Sequence, residues 1–213
     1  MNPSTLLIRH GQVDSPMSPA GPLLYGSEQP LNAIGMLQMK KLGEALTIQG
    51  ISPSRIYTSP FPRAIQSAQI LKNELSNHPP IVIRENLQGG RSPQWEGRSV
   101  SQLAGVTEDI FSPNPYEPDI HGESLPEAYS RVIKEYQYLL DENKDNEIAI
   151  ITHGEIVGII NHFERTQDAH SAGIDQAIGK AEALYMQRNS EGNVISQRVI
   201  TPEFQPTAIE MKK

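Results

Sequence analysis

The sequence has no cysteine. Disulfides, thiolate nucleophiles and cysteine-ligated zinc are therefore excluded. Aromatic residues are scarce, at 6% with a single tryptophan, so the chain is globular but short of large packing groups. There is no excess of positive charge. The formal net charge of −7 argues against a general affinity for nucleic acid or an anionic membrane. No apolar run approaches the roughly 20 residues needed to span a bilayer. The opening MNPSTLLIRHG carries only a three-residue apolar run before a charge. It does not read as a signal peptide, and the expected location is the cytoplasm. Repeats, linkers and low-complexity segments are also missing.

What is present is 213 residues with a clear alternation of strand-like and helix-like segments. That length suits one sizeable core and is too short for two, so a single domain over 1–213 is expected. Thr5–Ile8 reads as a buried strand ending at Arg9. Asn32 caps a helix whose apolar positions are Ile34, Leu37, Leu42, Ala45 and Leu46. Arg55–Thr58 is a second strand, and Ser59 with Pro60 opens the next helix in the order cap then proline. Its buried stripe is Ala64, Ala68, Leu71 and Leu75. Ile81–Ile83 is a third strand. Ser124-Leu125-Pro126-Glu127 is a capping box opening a long helix with Leu125, Ala128, Tyr129, Val132, Tyr136, Leu139 and Leu140 on one face. Glu147–Thr152 is the most strand-like segment, and a helix to about Arg165 follows His153-Gly154. Ala183–Arg188 and Val194–Val199 flank a hairpin turn. The last dozen residues read as a tail.

This order predicts an α/β fold with a mostly parallel sheet, helices on both faces and an antiparallel edge. Residues 12–30 and 86–122 are loop-rich and are expected to lie over one end of it. The second holds at most one short helix, near Ser99–Ala104.

In open α/β sheets, ligands bind beyond the carboxyl ends of the strands. His10 and His153 both sit there, each followed by a glycine that lets backbone approach a ligand. Arg9 precedes His10. Arg63 lies in the first turn of the helix after the second strand, where free N–H groups and the positive helix end add to it. Two arginines and two histidines thus converge from distant parts of the chain. Arginine presents planar donors that match phosphate oxygens in pairs. A neutral histidine can attack phosphorus if its other ring nitrogen is held as a donor. The second histidine and the arginines would stabilise charge on the transferring group. No metal is required by this chemistry.

Leu7-Ile8-Arg9-His10-Gly11 resembles the LxRHG signature of the histidine phosphatase (phosphoglycerate mutase-like) superfamily. The likeness continues in order along the chain. Pro30-Leu31-Asn32 through Gly35 to Gln38 is similar to the family's PLTxxGxxQ. Ile56 to Ala68, with Ser59-Pro60-Phe61-Pro62-Arg63-Ala64-Ile65-Gln66-Ser67, resembles its SSPLxRAxQTA. Trp95-Glu96-Gly97 matches WEG, Gly122-Glu123-Ser124-Leu125 matches GESL, and Thr152-His153-Gly154 resembles the final SHG. The resemblance implies a three-layer αβα sandwich, His10 as the phosphohistidine nucleophile and a phosphate pocket of Arg9, Arg63 and His153. It also implies a small phosphorylated substrate, with no metal or organic cofactor.

The departures are specific. Six residues before the Trp of WEG the family usually carries a glutamate that protonates the leaving group; here the residue is Gly89. Three and six residues after the histidine, where Thr and Asn are frequent, stand Val13 and Pro16. Glu155 replaces the small residue that often follows the second HG. Positioned general acids typically contribute about 10²–10⁴-fold. The replacement acids, in order of expectation, are Glu123 in the GESL block, then Glu85, then Glu155. The blander roles fall to others. Trp95 reads as a packing anchor, Glu127 as the capping-box residue, and Arg84, Arg91 and Arg98 as solvated charges. The expected function is a phosphomonoester hydrolase acting through a phosphohistidine; the alternatives are a phosphate-metabolite binder with weakened catalysis and, after it, a mutase returning the phosphoryl group to a bound sugar acid.

Overall fold

The computed structural model describes residues 3–15, 17–18, 21–22, 26–90, 123–170 and 172–203. The expected helix near Ser99–Ala104, Trp95, Arg91, Arg98, Pro16 and most of the C-terminal tail lie outside these residues. The strands are β1 (Ser4–Arg9), β4 (Arg55–Thr58), β5 (Ile81–Ile83), β6 (Glu147–Thr152), β7 (Ala183–Arg188) and β8 (Val194–Ile200). They form one six-stranded sheet in the order β5-β4-β6-β1-β7-β8. β5, β4, β6 and β1 run parallel, and β7 and β8 make the antiparallel edge. β2 (Met17–Ser18) and β3 (Gly21–Pro22) pair as a small separate ribbon.

Side chains alternate across a strand, so each central strand feeds two layers. Leu6 and Ile8 of β1, Ile56 of β4, and Ala149 and Ile151 of β6 pack with α1 (Ala33–Ile48) and α2 (Pro62–Glu74). Leu7, Tyr57, Ile148 and Ile150 point the other way, against α3 (Leu125–Glu142) and α4 (Gly154–Thr166). Both faces being covered explains why EIAIIT is apolar almost throughout. The result is the three-layer αβα sandwich that the resemblance implied. Among the described residues no helix is long and apolar enough to cross a membrane.

Two helices differ in detail from the sequence reading. The buried residues of α1 are Gly35, Met39, Leu42, Gly43 and Leu46, while Ile34 and Leu37 are only half-buried. The stripe is turned because Gly35 and Gly43 allow close packing that apolarity alone does not signal. α2 begins at Pro62 with Phe61 as its cap residue, not at Ser59. Ser59 Oγ accepts from the Phe61 N–H at 3.3 Å and also lies 2.8 Å from His153 Nε2. α3 keeps its capping box in both directions, Ser124 Oγ to the Glu127 N–H and the Glu127 carboxylate to the Ser124 N–H. Such a cap is worth about 1 kcal/mol. An unforeseen 3₁₀ turn covers Glu85–Leu87.

At the end of the sheet away from His10, Arg188 and Glu164 form an ion pair of 2.6 Å with both side chains 5% exposed. The Tyr136 hydroxyl donates to Glu164 Oε1 at 2.7 Å, and Arg188 donates to Tyr136 and to the Gly192 carbonyl. Burial, then the Glu164 carboxylate, hold the Tyr136 phenol well above its usual pKa. Removing one partner of such a pair strands a buried charge. Arg188→Met is expected to cost about 3–5 kcal/mol in urea unfolding. Adding Glu164→Leu is expected to recover part of that loss.

Candidate active site

β6 is inserted between β1 and β4, so three neighbouring strands deliver three site residues at one end. The sheet hydrogen bonds run on past the strands. The His10 N–H donates to the Thr152 carbonyl at 3.0 Å, and the Ser59 N–H donates to the Ile151 carbonyl at 3.0 Å. His10, Ser59 and His153 are thereby fixed side by side. The rings of His10 and His153 meet edge to face with centroids 5.2 Å apart. Both histidines are 2% exposed, and Arg63 is 6% exposed.

The loop after β1 is held by residues of the blocks that resemble the superfamily's motifs. His10 Nδ1 lies 2.7 Å from the Gly11 carbonyl, which can only accept. Nδ1 therefore carries the proton and Nε2 keeps its lone pair. The Gly11 N–H donates to Ser67 Oγ at 3.2 Å, and Ser67 donates to the Arg63 carbonyl at 2.7 Å. The Gln12 N–H donates to Gln38 Oε1 at 2.9 Å, and the Leu31 N–H donates to Gln66 Oε1 at 2.8 Å. Asn32 caps α1 by accepting from the Gly35 N–H at 2.8 Å. Any side chain on Gly35 would run into the Gln12 backbone. Val13, where a hydroxyl residue is frequent in the family, is buried in the apolar layer and bridges to Leu31.

The cations are tied to carbonyls. Arg9 donates to the Ile178 carbonyl at 2.8 Å. Arg63 donates to the Gly26 and Ser27 carbonyls, each at 3.0 Å, and stacks its guanidinium on Phe61. Arg63 Nη2 also lies 3.4 Å from His153 Nδ1. A guanidinium only donates, so Nδ1 accepts and the His153 proton sits on Nε2, toward Ser59. Phe61 closes on His153 with ring centroids 5.0 Å apart. Gly154 serves Arg9, since a Cβ there would lie 2.9 Å from the Arg9 guanidinium carbon.

The charges shift one another. Burial is the first cause holding His10 well below the usual histidine pKa, followed by Lys180 and Arg63. Burial also leads for His153, followed by His10 and Arg63. Both rings are neutral at pH 7. Lys180 is pushed down to about 7 by burial and then by Arg9, with Glu155 opposing. The segment that carries it is fixed by the Ala181 N–H, which donates to the Arg9 carbonyl at 3.1 Å.

Residues 5–195 match the family model of the histidine phosphatase superfamily (branch 1). The chain belongs to this superfamily. It is 26% identical over 135 residues to R708, an uncharacterized phosphoglycerate mutase family protein of Acanthamoeba polyphaga mimivirus, covering 63% of this chain and 64% of that protein. The match thus spans less than two thirds of that relative's own length. Among solved structures, Bacillus stearothermophilus YhfR superposes with a TM-score of 0.71 at 20% identity, covering 90% of this chain and 94% of that one. The alpha-ribazole phosphatase of Shigella flexneri gives a TM-score of 0.71 at 19% identity, covering 93% and 96%. At these identities the superpositions speak for the fold.

In this histidine phosphatase chain the three carboxylates considered as acids differ sharply. Glu123 is held in a two-pronged ion pair by Arg131, at 2.6 and 2.5 Å. Arg131 also donates to the Asn86 and Gln88 carbonyls, at 2.6 and 3.3 Å, so the pair braces the segment leading to Gly89. Glu85 is exposed on the 3₁₀ turn. Glu155, in the first turn of α4, accepts from the Gly90 N–H at 3.3 Å. Sequence reasoning missed Ser59 and Phe61 as site residues. The signal for Ser59 was its place one residue past a strand end, masked by its likeness to a helix cap. Nothing in the sequence pointed to Lys180.

Two outcomes follow from the charge pattern. An unfolded histidine takes a proton near pH 6.5, whereas the buried rings resist it to lower pH. The unfolded state therefore binds more protons, and stability falls as pH drops below about 6.5 and on through the lowered native values. The urea midpoint should be lower at pH 5.5 than at pH 7.5, with the difference reduced in His153→Gln. Lys180 loses affinity for its proton on folding, so at pH 7 it opposes the native state. Lys180→Met should raise the urea midpoint at pH 7 while weakening binding of inorganic phosphate.

Proposed function

We propose that this protein is a phosphomonoester hydrolase that acts on a small phosphorylated metabolite through a phosphohistidine at His10. The observation that carries this reading is the state of His10. Its Nδ1 proton is committed to the Gly11 carbonyl, and its Nε2 is left unprotonated beside Arg9, Arg63 and His153. Such a nitrogen can attack phosphorus without first losing a proton. Arg9, Arg63 and Lys180 supply positive charge for the oxygens of the transferring group, and His153 adds its ring beside them. No metal or organic cofactor enters this scheme, and the expected compartment is the cytoplasm. The membership of the superfamily and the phosphatases among the structural relatives agree with it.

Hydrolysis of an aryl phosphate tests the reading. His10→Ala should lose about 10⁴-fold or more in kcat, as removal of a nucleophile does elsewhere. Acid-labile, base-stable labelling of the wild-type chain by a phosphate donor should disappear with it. Arg63→Ala should weaken competitive inhibition by inorganic phosphate by about tenfold to a hundredfold, the worth of charge-assisted hydrogen bonds. Turnover by His10→Ala near the wild-type rate would remove the phosphohistidine. Phosphate bound tightly with no turnover of any ester would favour the binding-protein reading, which Gly89 motivates. Isomerisation of a phosphorylated sugar acid in place of phosphate release would favour the mutase.

A further inference from the structure

Gly89 and Glu155 come from distant segments of the chain and meet beside His153. A Cβ placed on Gly89 would lie 2.7 Å from Glu155 Oε1, and 3.3 and 3.4 Å from Cγ and Cδ2 of the His153 ring. The Glu155 carboxylate therefore already fills the space that any side chain at position 89 would enter. The Gly90 N–H, at 3.3 Å from Oε1, holds it there. The same carboxylate acts on Lys180, and Lys180 acts on both His10 and His153. Glu155 is thus electrically part of the cluster around His10. Other nearby carboxylates among the described residues have different work. Glu123 is committed to Arg131, Glu85 is exposed, and Asp14 accepts from Asn32 Nδ2 at 2.8 Å.

We propose that Glu155 is the proton donor to the leaving-group oxygen, standing in from α4 for a side chain that Gly89 does not have. This rests on the phosphohistidine reading above. As the bond from His10 Nε2 to phosphorus forms, the bond from phosphorus to the leaving oxygen breaks. The Glu155 carboxyl proton passes to that oxygen and a neutral alcohol departs. Water then attacks phosphorus and gives a proton to the Glu155 carboxylate. The nitrogen–phosphorus bond breaks with its electron pair returning to Nε2, and inorganic phosphate leaves. The acid is restored for the next turnover. Gly89 is the other half of the device, because a side chain there would displace the carboxylate.

Leaving-group dependence separates a proton donor from a merely structural glutamate. An alkyl ester needs the proton and a nitrophenyl ester does not. In Glu155→Gln, kcat/KM for an alkyl phosphate should fall by about 10²–10⁴-fold, and that for nitrophenyl phosphate by less than about tenfold. With the nitrophenyl ester the variant should also accumulate phosphohistidine, because water attack has lost its base. Equal losses on both esters, without accumulation, overturn the assignment and leave His10 in place. A wild-type chain that cleaves the nitrophenyl ester but no alkyl ester overturns it as well. Absence of any His10-dependent turnover overturns both readings together.

A relocation gives a second route. Gly89→Glu alone should reduce alkyl-ester turnover, since its Cβ meets Glu155 Oε1. Gly89→Glu combined with Glu155→Gly should exceed Glu155→Gly alone by about tenfold or more on the alkyl ester. A double variant no better than Glu155→Gly overturns the claim that the two positions share one task.

Discussion

Like charge gathered out of water is the constraint around which this fold is arranged. Arg9, Arg63, Lys180, His10 and His153 occupy one end of the sheet, mostly buried. Charges so placed need polar partners. Among the described residues the guanidinium groups donate to the carbonyls of Gly26, Ser27 and Ile178. Carbonyl dipoles orient a cation without cancelling its charge. The histidines respond by staying neutral and Lys180 by titrating near 7.

The cluster in turn dictates much of the local sequence. His10 can keep its proton on Nδ1 only if the Gly11 carbonyl stays in place, and that carbonyl belongs to a loop with no secondary structure of its own. Ser67, Gln38 and Gln66 each spend a side chain on a backbone N–H of this loop or its neighbour Leu31. Gly35 lets the first turn of α1 press against Gln12. The blocks Pro30–Gln38 and Ser59–Ala68 are therefore a brace for the His10 loop as much as a pocket lining.

This explains what was legible in the sequence and what was not. Strand positions were clear because each central strand is buried on both faces, and Arg55–Thr58 and Glu147–Thr152 read with their final bounds. Arg9, His10 and His153 were legible because they sit at strand ends, where sheet register alone fixes their place. Ser59 was legible as polar but not in its partner. A serine before a proline signals a helix cap locally, and only the insertion of β6 beside β4 gives it His153 to bond. Lys180 arrives on an irregular segment after α4, fixed by the Ala181 N–H to the Arg9 carbonyl, a contact across most of the chain. No local pattern encodes such a contact. The order of the candidate acids failed to anticipate Arg131, since a salt bridge across eight residues at a helix entry leaves no periodic trace.

The two sides of the site consequently depend on different supports. The cationic side is held by the register of β1, β4 and β6 and by the first turns of α1 and α2. The side that holds Gly89 hangs on the segment from Arg84 to Gln88, while Glu155 stands in the first turn of α4. α3 grips that segment through Arg131, and through Glu135, which takes Arg84 at 2.6 Å and Asn86 at 2.9 Å. From β6, Thr152 donates to the Leu87 carbonyl at 2.6 Å. Sheet register is rigid, because slipping by one residue would turn every buried side chain outward. A loop pinned by a few polar contacts is easier to alter without unfolding the protein. The proposed proton donor at 155 therefore occupies the space beside Gly89 while Arg9, His10, Arg63 and His153 keep the places that the sheet gives them.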